Sequence, residues 1–257
     1  MADGGPQFTV PLASSIGKSY FAGTMANARL PMKISYCTTC RNRIEHLQQT
    51  LPRSLDALRD GDELVILDYG SAEPIKPVVA RFRHPALRLY RVADTPRYRR
   101  AHAKNVAHLL AMGDFLVNLD ADNTLTDGYV AWLTETLGAE PNAIAFSEAW
   151  GGGGGRIGLP RAVFSALGGY DERFEGWGYE DGDLLARARG LGLPAVKAPD
   201  DLVEFITHED SLRESDKEAT RNQAMRLSEA AIAQRQYVAN AGCEWGVAAE
   251  MVHEILD

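Results

Sequence analysis

The chain has 257 residues, 45% hydrophobic and 24% charged, with a net charge of −8. That length suits one large α/β domain or two small ones, with a buried core, and the acidity argues against nucleic acid as the main partner, because phosphate backbones call for a positive field. No apolar run approaches the ~20 residues of a membrane span, no secretory leader is read at the N-terminus, and three cysteines (Cys37, Cys40 and Cys243) are too few for a disulfide framework, so a reducing, cytoplasmic setting is expected.

Residues 1–30, rich in Gly, Ala and Ser, read as a loosely attached arm. A first strand is expected over 32–37, followed by a helix over 42–59 that Pro52 should kink or divide. Leu64–Leu67 reads as a buried strand stopped by Asp68-Tyr69-Gly70-Ser71, and Leu87–Tyr90 as a third strand. A helix over 103–112 should close at Gly113. Phe115–Leu119 is the clearest strand, ended by Asp120 and Asp122. A helix over 128–137, capped by Gly138, and a strand over 143–146 complete an alternation of strand and helix. That pattern predicts a mostly parallel sheet flanked by helices, with ligands beyond the carboxyl ends of the strands.

The second half is less regular. Gly151 to Gly155 is too flexible for a strand interior. A short helix should start near Pro160, another should span 181–190, and a strand Leu202–Ile206 should end near His208. A long polar helix over 211–240 is expected to pack on the domain or to form a dimer, and an amphipathic helix over 244–256 ends the chain. The organisation expected is an arm (1–30), a catalytic domain (31–210) and a helical extension (211–257).

Chemistry concentrates in a few places. Gly176-Trp177-Gly178-Tyr179-Glu180-Asp181-Gly182-Asp183 carries three carboxylates beside a tryptophan, a poor choice for a core and a good one for a working site. Asp183 falls at the start of a helix, where the dipole favours a carboxylate, and is assigned a structural role. Asp120-Ala121-Asp122 places two carboxylates on a bend, able to share a hard cation such as Mn²⁺ or Mg²⁺; a capping aspartate is the plainer alternative. His208 is the candidate third ligand. Arg41 and Arg43 follow the first strand and suit phosphate oxygens. Arg97, Arg99, Arg100, His102 and Lys104 form a second basic cluster, read either as a phosphate-facing wall or as a solvated helix face. Cys37-Thr38-Thr39-Cys40 has no second pair to complete a zinc site, which leaves a redox motif at a strand-to-helix junction as its alternative. Neither a dinucleotide fingerprint nor a Walker loop is present.

Three of these stretches, in order, resemble one family. Cys40-Arg41-Asn42-Arg43-Ile44-Glu45-His46-Leu47 is similar to the nucleotide-binding Phe-Arg-Asn-Arg-x-Glu-His-Leu segment of β-1,4-galactosyltransferases. Asp120-Ala121-Asp122 looks like the metal motif, and residues 176–183 resemble Gly-Trp-Gly-x-Glu-Asp-Asp-Asp. The resemblance, over about residues 32–210, implies a GT-A fold and a metal-dependent, inverting transfer of a hexose from a UDP-sugar to a glycan or small-molecule acceptor. It implies that Asp122, His208 and Asp120 hold the metal. Arg41, Arg43, Asp68 and Asp120 would contact the nucleotide, with Asp68 on uracil, and Lys104 of the basic cluster joins them on the phosphate-wall reading. Trp177 and Glu180 would contact sugar, Gly155 of the glycine run is placed with them, and Asp181 would be the base. Three departures stand out: Phe205 where some galactosyltransferases place a methionine ligand, Gly182 in place of an acid, and a pentaglycine loop, beside Trp150, in place of an aromatic-containing one. A non-catalytic sugar-nucleotide or glycan-binding module and a metal-dependent nucleotidyltransferase are the rival readings.

Overall fold

The computed structural model describes residues 32–93, 95–148, 153–176, 178–207, 217–248 and 251–254. The arm over 1–30, Trp150, Trp177, His208 and the segment 208–216 lie outside the described residues.

Continuous apolar runs form the centre of the sheet. Strands β1 (Ile34–Cys40), β2 (Glu63–Tyr69) and β4 (Phe115–Asn118) are buried at every position, and β3 (Leu87–Val92) at half of its positions. This is the pattern of parallel strands covered on both faces. The other strands are β5 (Asn123–Thr124), β6 (Ile144–Phe146), β7 (Ile157–Pro160), β8 (Ala195–Lys197), β9 (Glu204–Phe205) and β10 (Met251–Glu254). The sheet order is β10-β3-β2-β1-β4-β7-β6-β8, with β7 and β10 antiparallel to their neighbours and the rest parallel. β5 and β9 pair as a separate two-stranded sheet.

Strand order reverses between β1 and β4. A reversal of this kind opens a crevice at the carboxyl ends of the strands. Arg41 and Arg43 follow β1 there, and Asp120 and Asp122 follow β4.

Helices α1 (Ile44–Asp56), α2 (Lys76–Val79), α3 (Arg100–Leu110), α4 (Asp127–Ala139), α5 (Arg161–Ala166), α6 (Glu180–Gly190) and α7 (Lys217–Ala233) surround the sheet. Leu47, Leu51 and Leu55 of α1, with Tyr129, Leu133 and Leu137 of α4, pack on Ile34, Tyr36, Ile66 and Val117. Ala103, Val106 and Ala107 of α3, with Phe164, Leu184 and Ala188, pack on Cys37, Val65, Leu67 and Leu116. Successive strand residues thus serve opposite cores. The same parity settles the cysteines. Cys37 and Cys40, three residues apart within β1, point into different cores. Burial pushes the Cys40 thiol up to about 12 and raises Cys37 too. The redox alternative fails, because the strand runs on through the pair instead of ending before it.

Several boundaries differ from expectation. Helix α1 runs through Pro52. Gly113 does not cap α3, which already ends in an extended Ala111. A Cβ at Gly113 would lie 2.5 Å from Ser35 Oγ, so close strand approach explains that glycine. Gly138 lies inside α4. The strand expected over Leu202–Ile206 shortens to β9, because Asp200–Leu202 turn as a 3₁₀ helix. The helix expected over 211–240 is described from Lys217 to Ala233. In place of a helix over 244–256, β10 pairs with β3 and covers what would otherwise be an open edge. The segment before it packs on the domain: Asn240 Nδ2 donates to Gly168 O and Tyr170 O, each at 2.7 Å, and Trp245 packs edge-on against Phe164.

Asp183 is structural, for a stronger reason than the helix dipole. Its carboxylate pairs with Arg187 at 2.7 Å, both side chains being 2% exposed. Arg187 also donates to Leu167 O and Gly169 O. Removing one member of a buried pair strands the other. Asp183→Ala is expected to lower unfolding free energy by about 3–5 kcal/mol, read from urea denaturation.

Candidate active site

The acidic segment is gripped from one side by α3 and the residues before it. Arg97 pairs with Glu175 at 2.8 Å, and Arg100 Nη1 donates to Gly176 O at 3.2 Å. Lys104 Nζ donates to Glu180 Oε1 at 3.0 Å and to Asp181 Oδ2 at 2.7 Å. Asn105 Nδ2 donates to Tyr170 O and Glu172 Oε1, both at 2.9 Å. Of the basic cluster read as a phosphate wall or a solvated face, Arg100 and Lys104 thus meet the acidic motif, Arg97 and Arg99 pair with Glu175 and Glu172 just before it, and His102 bonds Tyr69 and Val247 instead. Lys104 in particular is 3% exposed, lies 5.3 Å from the Tyr170 ring centroid, and turns its ammonium to two carboxylates rather than to an open crevice.

The backbone before α6 is left-handed at Gly176, Gly178 and Tyr179, with φ of 86°, 92° and 74°. For tyrosine this costs about 1–2 kcal/mol. Its ring lies over Gly182, where a Cβ would come within 3.2 Å of a ring carbon. The glycine that replaces an acid of the family motif therefore makes room for Tyr179.

On the other side stand Asp120 and Asp122. Asn118 Nδ2 donates to Asp120 Oδ1 at 3.0 Å and to Gly155 O at 2.8 Å. Asp122 Oδ1 accepts from Asn123 Nδ2 at 2.8 Å, and Asp122 O accepts from Ile206 N at 2.7 Å. Gly155 lies between the two halves. A Cβ there would sit 2.6 Å from Asp120 Oδ2 and 3.1 Å from Asp181 Oδ2. Carboxylates 61 positions apart in the chain thus converge across one missing methyl group.

Arg41 is half-buried, and its guanidinium donates to Thr95 Oγ1 and Thr95 O, tying together two loops at the carboxyl edge. Arg43, also half-buried, precedes α1. Asp68 differs from expectation. It is 1% exposed, accepts from Ser71 N at 3.0 Å and Ile75 N at 3.5 Å, and pairs with Arg91. With its oxygens so engaged it shapes the loop after β2, and a uracil contact is not the role its geometry serves. Asn118 and Asn123 escaped the sequence reading. Their only signal was that they flank the Asp-x-Asp.

Burial alone would lower Lys104, but Asp181, Glu180 and Asp120 hold it well above its ordinary range. Burial alone would raise Glu180, and Lys104 and Arg100 hold it down instead. For Asp181 burial wins. With Glu180 and Asp120 adding to it against the pull of Lys104, it rises from 3.8 to about 8. One ammonium faces three carboxylates, and Asp181 is the one that keeps its proton.

The cluster therefore has negative charge to spare, which fits a cation. Among the described residues no group of three His, Cys, Asp or Glu side chains forms a metal site. Asp120 and Asp122 offer oxygen atoms only, the donor type that a hard cation prefers.

Residues 145–210 match a family model described as the N-terminal domain of galactosyltransferase. The chain has the fold of GT-A glycosyltransferases. Three solved structures share that fold. The mannosyltransferase PcManGT from Pyrobaculum calidifontis, solved with GDP-Man and Mn²⁺, is 19% identical at a TM-score of 0.57, over 78% of this chain and 70% of that one. TarS from S. aureus with UDP-GlcNAc is 14% identical at 0.59, over 80% and 70%. The catalytic domain of Drosophila β1,4-galactosyltransferase 7, in complex with xylobiose, is 19% identical at 0.53, over 77% and 79%. No curated protein matches the chain by sequence.

Two outcomes test this geometry. Gly155→Ala crowds Asp120 and Asp181 without a backbone penalty, since Gly155 is not left-handed. It is expected to weaken Mn²⁺-dependent binding of UDP, measured by calorimetry, while leaving the fold intact by circular dichroism. The second concerns pH. Between 3.8 and about 8 the folded chain keeps an Asp181 proton that the unfolded chain has released. That stabilisation is complete below the lower value and is lost as pH rises through the upper one. Asp181→Asn removes the titration, so the metal-free variant should gain stability relative to wild type on going from about pH 5 to about pH 9.

Proposed function

We propose that this protein is a metal-dependent, inverting hexosyltransferase that moves galactose or a related hexose from a UDP-sugar to an acceptor hydroxyl. One observation carries the reading: Asp181, paired with Lys104, meets Asp120 across Gly155 at the carboxyl edge of the sheet. Such a site sets a titratable carboxylate beside a cation-binding pair, which is what sugar transfer from a diphosphate needs.

Asp122 and Asp120, with His208 as the third ligand, are assigned to a Mn²⁺ or Mg²⁺ ion. When bound, the ion supplies Lewis-acid neutralisation of the departing diphosphate and the positive charge that the carboxylate cluster lacks. Arg41 and Arg43 share that neutralisation from the end of β1. Glu180, held ionised by Lys104, accepts from sugar hydroxyls, and Trp177 is assigned to the sugar on the strength of the family resemblance. Lys104 is assigned to hold Glu180 and Asp181 in place of the nucleotide contact expected of the basic cluster. In its deprotonated form, which gains population as pH rises toward about 8, Asp181 takes the proton of the incoming hydroxyl while the acceptor oxygen attacks opposite the leaving group. The anomeric centre is therefore inverted in one displacement.

Asp181→Asn should lower kcat by about 10²–10⁴-fold with donor binding retained. The acid limb of the kcat/KM profile should disappear with it. Near-normal turnover would overturn the base assignment. Asp122→Ala should abolish the metal requirement together with activity, and full activity in chelator would exclude the metal role. Product analysis must give a glycoside and UDP; pyrophosphate would mark nucleotidyl transfer instead.

A further inference from the structure

Arg156 follows Gly155 directly and is 1% exposed. Its guanidinium lies 4.7 Å from the Tyr129 ring centroid. No carboxylate pairs with it among the described residues, and its Nε and Nη1 have no partner there. A buried charge without a counter-charge is costly. A side chain that only filled this volume would do so better as an apolar group.

What Arg156 does hold is specific. Nη2 donates to Asn123 Oδ1 at 3.3 Å, Thr124 O at 3.1 Å and Glu204 O at 3.4 Å. It thus bridges β5 and β9, the two strands of the small sheet. A guanidinium has donors only, so the end of the Asn123 amide that faces it must be the oxygen. The amide nitrogen is then left to face Asp122, and it donates to Asp122 Oδ1 at 2.8 Å. On the other side of Arg156 its backbone is tied to the sheet edge by Ser147 N, which donates to Arg156 O at 3.0 Å.

We propose that Arg156 is a positioning residue for the cation-binding carboxylate: through Asn123 it directs Asp122. This rests on the assignment of Asp122 to a divalent cation. Groups that orient a metal ligand typically change metal affinity about 10–100-fold when removed.

The test is a Mn²⁺ titration of the full chain in the presence of UDP, followed by the electron paramagnetic resonance signal of free and bound Mn²⁺. Arg156→Met should weaken Mn²⁺ binding about 10–100-fold with a Tm no lower than wild type. Asn123→Ala, which leaves Arg156 its two carbonyl partners, should weaken it similarly and serves if the methionine variant fails to fold. The double variant should be no weaker than the more affected single variant, because both act through one route. Unchanged Mn²⁺ affinity in the folded variants, beside a wild type that binds, would overturn the Arg156 assignment alone. Additive losses would overturn the route through Asn123. A wild type that binds no Mn²⁺ with UDP would overturn the metal-dependent function, and this inference with it.

Discussion

The Lys104 ammonium, buried between Glu180 and Asp181, is the contact on which the site depends. Neither partner can leave the other without stranding a charge in a water-poor interior. The contact fixes the start of α6 against α3 and carries the segment before α6 with it. Arg100 and Asn105 add hydrogen bonds on either side of Lys104 along that helix. The reward for the arrangement is electrostatic. Because one cation is set against three carboxylates, one of them, Asp181, is held with a proton affinity suited to exchange near neutral pH.

The opposite half of the site is built on hydrogen bonds rather than ion pairs. Asn118 joins Asp120 to Gly155, and Asn123 joins Asp122 to Arg156. Both amides lie within a short stretch at the end of β4, where the strand-order reversal opens the crevice. The halves meet only because residue 155 has no side chain. The left-handed Tyr179 and the small Gly182 show the same economy at the other end, with strain at one residue accommodated by the absence of a side chain at another.

How much of this was legible in the residues depends on the range of the interaction. Leu64–Leu67 and Phe115–Leu119 read as buried parallel strands because every position is apolar, and that pattern is local. The carboxyl-edge placement of Asp120 and Asp122 followed from it. β5, β7 and β8 carry too few residues for periodicity to declare them, and β10 becomes a strand only because β3 offers it an edge.

The sequence by itself determined the α/β class, the acidic and basic clusters, and the order of the three motifs. These depend on side-chain type and spacing along one segment. Only the tertiary structure decided which charges face each other. Lys104 lay in a basic stretch with two open readings, and its true partners stand 76 and 77 positions away. Asp68 looked available, and a loop closed around it. Arg156 gave no signal beside a run of glycines, yet it reaches Asn123 across 33 positions. Burial makes such pairings obligatory, because a charge or amide removed from water must find its partner wherever the fold puts one.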